Sequence, residues 1–136
     1  MDAFDADVLI YASAPEHPLG RRVRDLFPVA PGAIAGIGSL LLLPEVLAKP
    51  MRDGASDEVG ALTGLLSRLE LRIFDSATAE VATSLAIAYR LRAADAVHLA
   101  TAVVAGADRF VTNNSRDFPT TISEVDVTYP ALLSEG

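Results

Sequence analysis

The stretch ADAVHLATAVVAGADRFVT, residues 94–112, changes its periodicity halfway along. Counting from Asp95, His98, Leu99 and Ala102 follow at i+3, i+4 and i+7, which is one face of a helix. Gly106 predicts its end, because glycine readily takes the left-handed conformation that closes helices. RFVT, residues 109–112, then reads as a short buried strand. A helix that hands over to a buried strand through a short connection is the repeating piece of an α/β fold, so the same alternation should recur upstream.

It does recur. Residues 3–7 read as a strand leading into a helical stretch near VLIYA, and Leu19, Val23, Leu26 and Phe27 form an apolar helix face behind Pro18. Residues 33–36 are expected to be a short buried strand ahead of a helix containing LLLLPEVLA, residues 40–48. Pro44 requires that helix to kink or to start close by, since proline removes a backbone donor. Val59, Leu62, Leu66 and Leu69 mark a helix whose first turn carries Ser56, Asp57 and Glu58, residues suited to its positive end. LRIF, residues 71–74, alternates like a strand; Asp75 and Ser76 then cap a helix running through Val81, Leu85, Ala88 and Tyr89. VDVT, residues 125–128, gives a last strand. The expected fold is α/β: a three-layer α/β/α sandwich with a small, mainly parallel central sheet.

At 136 residues the chain has the length of one compact domain, residues 1–136, and 51% of it is hydrophobic. No apolar run approaches the roughly 20 residues that span a bilayer, and no secretory leader precedes the first strand. A soluble, cytoplasmic protein without membrane contact is expected. The absence of cysteine excludes disulfides and thiolate metal sites, leaving oxygen or imidazole as metal donors. The net charge of −7 opposes broad coating of nucleic acid, and ten of the 11 bases are arginine, Lys49 being the single lysine. Two arginine groups stand out, Arg21, Arg22 and Arg24, and Arg90 with Arg92; a solvated helix face is the plainer reading of each.

In a parallel sheet, ligands bind beyond the carboxyl ends of the strands. Asp5 and Asp7 fall where the first strand ends, and Asn113, Asn114 and Asp117 follow the strand at 109–112. Glu45 and Asp95 lie on helices able to face the same edge. Acids gathered there repel one another unless a cation holds them, and Mg2+ or Mn2+ prefers hard oxygen donors. Each acid alone has a plainer reading: Asp5 or Asp7 as a helix cap, Asp95 as a first-turn aspartate favoured by the helix dipole. Glu45, between leucines and Val46, is harder to account for without a partner. His98 reads as a packing or surface residue and His17 as a loop residue, and they offer no zinc spacing. Motifs for a nucleophilic serine, a P-loop or a dinucleotide site are missing.

FDADVLIYA (4–12), LLPEVLAKP (42–50) and LRAADAVHLATAVVAGADRFVTNNSRDF (91–118) form an ordered set. That set resembles the PIN-domain family, and within it the VapC-type toxins of bacterial toxin and antitoxin pairs. The resemblance runs from about Phe4 to Phe118 and implies a Mg2+-dependent endoribonuclease, with Mn2+ as a substitute. By that resemblance the family's first aspartate falls on Asp5, its helical glutamate on Glu45 and the aspartate of its L-x-x-x-D-A pattern on Asp95, with Asp5 and Asp95 as metal ligands. The fourth acidic position is shared between Asn114, where many relatives carry aspartate, and Asp117. Asp7 stands where the family often has asparagine and reads as a supporting group or additional ligand; Thr112 reads as a site-lining hydroxyl, and Arg116, or an arginine of the two groups above, as a contact to the RNA backbone. Water activated at the metal would attack the scissile phosphorus. A cognate antitoxin protein and a homodimer are implied in the same way.

Two other readings stay open on the residues alone. A haloacid-dehalogenase-like phosphatase also carries D-x-D after a strand, but it needs a lysine downstream, as does a phospho-receiver domain, and Lys49 comes too early. A catalytically weakened PIN-like module that binds RNA or protein without cutting is the other, with the amide at Asn114 in its favour.

Overall fold

The computed structural model describes residues 1–134. Five strands, β1 (Asp2–Phe4), β2 (Gly36–Ser39), β3 (Leu69–Arg72), β4 (Arg109–Val111) and β5 (Asp126–Thr128), pair in the order β3-β2-β1-β4-β5. Every pairing is parallel. The helices are α1 (Ala6–Ser13), α2 (Pro18–Arg24), α3 (Leu42–Arg52), α4 (Ser56–Leu66), α5 (Ser76–Tyr89) and α6 (Ala93–Val104). Neighbouring strand residues point to opposite faces. Ala3, Ile37 and Phe110 therefore pack with α5 and α6, whereas Phe4 and Val111 pack with Val8, Val23, Val46 and Leu62 from α1 to α4. This is the expected three-layer sandwich with a parallel central sheet.

The differences from the sequence reading concern strands more than helices. The second strand is Gly36–Ser39, not 33–36, and glycine stands at two of its positions because neighbours come too close there for a side chain. A Cβ on Gly36 would stand 2.2 Å from the carbonyl oxygen of Asp2, and one on Gly38 would stand 2.5 Å from Leu42 Cδ1. The third strand is Leu69–Arg72, two residues earlier than LRIF; Leu69 opens it instead of extending the α4 face. Ile73 and Phe74 consequently lie outside the strand, 68% and 56% exposed. Asp5 ends up just past β1 and caps α1. Pro44 sits in the first turn of α3, where its missing N–H has no intrahelical partner to lose. Asp95 lies in the first turn of α6, which opens at Ala93.

Several arginines are structural. Arg24 donates to the carbonyls of Ala12, Ala14 and Pro15, holding the turn between α1 and α2. Arg68 does the same for Pro28, Ala30 and Ala33, and Arg22 donates to Ala131 and Leu133. Arg109 makes a two-pronged pair with Asp2, both N to O distances 2.9 Å. The group Arg21, Arg22 and Arg24 is thus largely a set of backbone clamps. Among the described residues no helix is long and apolar enough to cross a membrane.

The chain order decides where a site can form. It steps outward from β1 to β2 and β3, then returns to lay β4 on the other side of β1. The two neighbouring connections leave in opposite directions, which opens a crevice beyond the carboxyl ends of β1 and β4.

Candidate active site

Asp5 and Thr112 occupy that crevice, each one residue past the end of its strand. The Asp5 N–H donates to the Val111 carbonyl at 3.0 Å, extending the β1–β4 ladder by one rung. Its side chain is divided between two tasks. Oδ1 accepts from the Ala6 N–H at 2.8 Å and caps α1, and Oδ2 accepts from Thr112 Oγ1 at 2.7 Å. The residue is only 5% exposed, so the cap holds a carboxylate inside the protein rather than at its surface. Asp7, in the first turn of α1, accepts the Asn113 N–H on Oδ2 at 3.0 Å. Its Oδ1 is buried without a partner among the described residues.

Glu45 and Asp95 stand in the first turns of α3 and α6, helices whose positive ends meet the same edge of the sheet. Glu45 Oε1 lies 2.7 Å from Nε2 of His98, one turn beyond Asp95 on α6. In the loop after β4, Asn114 and Asp117 bond reciprocally: Asn114 Nδ2 donates to Asp117 Oδ2 at 2.9 Å, and the Asp117 N–H donates to Asn114 Oδ1 at 3.2 Å. The Asn114 N–H donates to Thr112 Oγ1 at 3.1 Å, which ties this loop to Asp5 through one hydroxyl.

The acids feel one another. Burial raises the Asp5 carboxyl above its ordinary pKa; charge on His98 and the Thr112 hydrogen bond pull it back, and Glu45 adds repulsion. Asp7 is pushed up to about 7, first by burial and then by Asp5. Asp95 is raised by burial, then by Asp5 and Asp117. Burial opposes charge on His98, but its hydrogen bond to Glu45 and the fields of Asp5, Glu45 and Asp95 outweigh that, and its pKa is raised. Carboxylates from α1, α3, α6 and the loop after β4 therefore converge on one crevice, where burial and neighbouring charge disfavour the ionised forms of Asp5, Asp7 and Asp95.

Such a donor set suits a hard divalent cation and little else. Among the described residues no three of these groups stand close enough to enclose an ion outright. Mg2+ does not require such a cage, since it binds through one or two carboxylates and retains several waters. Of the residues singled out in the sequence, Asp5, Asp7, Glu45, Asp95, Thr112, Asn114 and Asp117 come together. Arg116 is exposed between the two halves of the Asn114–Asp117 pair and makes no hydrogen bond or ion pair among the described residues. His98 is more than a packing residue, since its one polar contact is to Glu45. Its spacing of three from Asp95 puts both on one helix face, a signal already present in the sequence. Tyr11, which nothing in the sequence singles out, meets Asn113 of the loop after β4: Asn113 Nδ2 donates to the Tyr11 hydroxyl at 3.3 Å, and the Tyr11 ring stacks on His17 with centroids 4.2 Å apart. His17 itself caps α2, its Nδ1 accepting from the N–H groups of Leu19 and Gly20.

The fold and this crevice define an α/β domain with an acidic cleft at the switch point of a parallel sheet. The sequence matches the PIN domain family over residues 3–121, and the chain belongs to that family. Its fold is also that of a chain from a toxin–antitoxin complex of Klebsiella pneumoniae, with a TM-score of 0.73 and 24% identity over 96% of this chain and 98% of that one. A chain of VapBC2 from Rickettsia felis, in a crystal structure bound to a DNA fragment from their promoter, superposes with a TM-score of 0.71 and 18% identity, covering 94% and 97% of the two chains. None of the curated proteins compared with the chain matches it.

Proposed function

We propose that the whole chain, residues 1–136, is one nuclease domain: a Mg2+-dependent endoribonuclease acting as the toxin of a toxin–antitoxin pair. The observation that carries this reading is the convergence of Asp5, Glu45, Asp95 and Asp117 in the crevice of a PIN-domain sheet, where burial and mutual repulsion raise Asp5 and Asp95. Asp5 and Asp95 would hold Mg2+, with Mn2+ as a substitute, and Glu45, directly or through water, and Asp117 would complete the donor set. Asn114 serves by aligning Asp117 rather than by supplying charge. Bound there, the cation offsets the charge of the phosphodiester and lowers the pKa of water for attack on phosphorus.

The chain's own groups do the rest. Thr112 fixes one Asp5 oxygen, and the α1 cap fixes the other, so the carboxylate has a single orientation. Asp7 pins the backbone of Asn113 and with it the start of the β4 loop. Arg116, exposed beside Asp117, steadies the RNA backbone. The toxin reading rests on the likeness in fold to chains of toxin–antitoxin complexes. It brings a cognate antitoxin, a homodimer and a cytoplasmic place of action with it.

Purified protein incubated with structured RNA should cleave it with Mg2+ and not with EDTA, and Asp5→Asn and Asp95→Asn should each abolish cutting. Cleavage that persists in EDTA or in either variant overturns the metal mechanism. Expression without an antitoxin should arrest growth, and expression of Asp5→Asn should not; arrest by the variant overturns the toxin reading.

A further inference from the structure

His98 and Glu45 come from opposite layers of the sandwich. His98 is on α6, packed with α5 on one face of the sheet, and Glu45 is on α3, packed with α1 and α4 on the other. Their side chains are unequally placed: that of His98 is 1% exposed, that of Glu45 33%. The imidazole Nε2 lies 2.7 Å from Glu45 Oε1, and its Nδ1 is buried with no partner among the described residues. An apolar side chain of similar volume would pack α6 without leaving a ring nitrogen unsatisfied. The fold alone therefore gives no reason for a histidine at this position.

Glu45 supplies the reason. Its long side chain is a third exposed and is repelled by Asp5 and Asp95, and nothing else in the described residues hydrogen-bonds its carboxylate. Left free, it would gain rotamer entropy and relieve repulsion by swinging out into water. A ring held rigid in the core opposes that swing. We infer that His98 is a positioning residue for the metal-holding carboxylates: its Nε2–H anchors Glu45 Oε1 and keeps the second oxygen available to a divalent cation beside Asp5 and Asp95. Nε2–H is a donor whether or not Nδ1 is protonated, so the anchor does not depend on the charge of the ring. The inference rests on the metal-dependent reading above and adds a residue to it.

Mn2+ binding to the full chain, followed by electron paramagnetic resonance, tests it together with RNA cleavage. His98→Met fills the volume without a donor and should weaken Mn2+ binding about 10–100-fold, the range for removing a partner that orients a ligand. His98→Gln, whose terminal N–H reaches about as far as Nε2, should stay within about threefold of the native protein by the same reasoning. In a Glu45→Ala background His98→Met should have no further effect, because the anchored carboxylate is already gone. A structural role would not produce that coupling. Melting in EDTA shows which variants fold; should His98→Met not melt cooperatively, His98→Asn, too short to reach Glu45, takes its place with the same expectation. Native affinity in the donor-less variant, or an equal loss in the Glu45→Ala background, overturns the inference while the metal reading stands. A native protein that binds no Mn2+ and cuts no RNA overturns both.

Discussion

Asp7 carries one paired and one unpaired carboxylate oxygen in a site already occupied by Asp5, and its pKa is pushed up to about 7 by burial and by that neighbour. A carboxyl whose folded pKa lies above its unfolded value stabilises the fold when protonated, so its contribution is complete below about pH 3.8 and is lost as pH rises through about 7. Asp7→Asn keeps an acceptor for the Asn113 N–H and removes the charge. In EDTA the variant should melt higher than the native protein at pH 8 and by a smaller margin at pH 5. An equal margin at both values would show that the Asp7 charge is not what strains the site. Thr112 is a second single-residue test, because its hydroxyl serves Asp5 Oδ2 and the Asn114 N–H at once. Thr112→Val conserves shape and leaves both groups unpaired, a loss of about 1–3 kcal/mol in denaturant melts, with RNA cleavage falling alongside. Stability within 0.5 kcal/mol of native, on the order of an ordinary surface change, would contradict it. At this scale the acids were legible because their frames were, whereas Thr112 as a hinge for two groups and His98 as an anchor depend on contacts between segments more than fifty residues apart, which no local pattern encodes.

Helices announced themselves through local chemistry. Asp75 caps α5 through the Thr78 N–H at 2.9 Å, and Pro18 opens α2, as their positions in the sequence suggest. Strands did not, since their lengths here are three or four residues and their identity comes from neighbours. LRIF misleads because Ile73 and Phe74 are apolar yet exposed, and the strand at GIGS, residues 36–39, is faint in the sequence because Ile37 alone favours a strand and glycine disfavours one. What selects glycine in β2 is the closeness of β1, a tertiary demand. Gly36→Ala should therefore cost on the order of 3 kcal/mol, the upper end of overpacking, since the new methyl would meet backbone. Gly64→Ala, inside α4 with nothing within 4 Å of the added carbon, should instead stabilise by roughly 0.5–1 kcal/mol through helix propensity. Chemical denaturation of the two variants decides it: the signs must be opposite, and a tolerated Gly36→Ala would mean that β1 and β2 can separate.

The proposed function sets the molecule as a whole a difficulty: a net charge of −7, with Asp5, Asp7 and Asp95 gathered in the cleft that would receive a phosphodiester. The arginines are sorted in a way that limits the conflict. Arg24, Arg68 and Arg109 are consumed by backbone carbonyls and Asp2, and Arg72 faces Glu70. Arg92, directly before α6, and Arg116, beside Asp117, are exposed and make no hydrogen bond or ion pair among the described residues. On the proposed function, RNA would be held by few cations placed close to the cleft, not by a basic surface. For single strands each neutralised phosphate contributes about −0.7 to the slope of log affinity against log salt, so two such contacts predict a shallow slope near −1.4. Affinity for a single-stranded RNA, measured across salt in an Asp5→Asn background so that the strand stays intact, should show it. Arg92→Gln and Arg116→Gln should each flatten the slope by about 0.7. Arg52→Gln, at the far end of α3 and about 10 Å along the helix from Glu45, should leave it unchanged. A steep native slope, or an effect of Arg52 equal to the other two, would mean that the strand is gripped by a wider surface than the rim of the cleft.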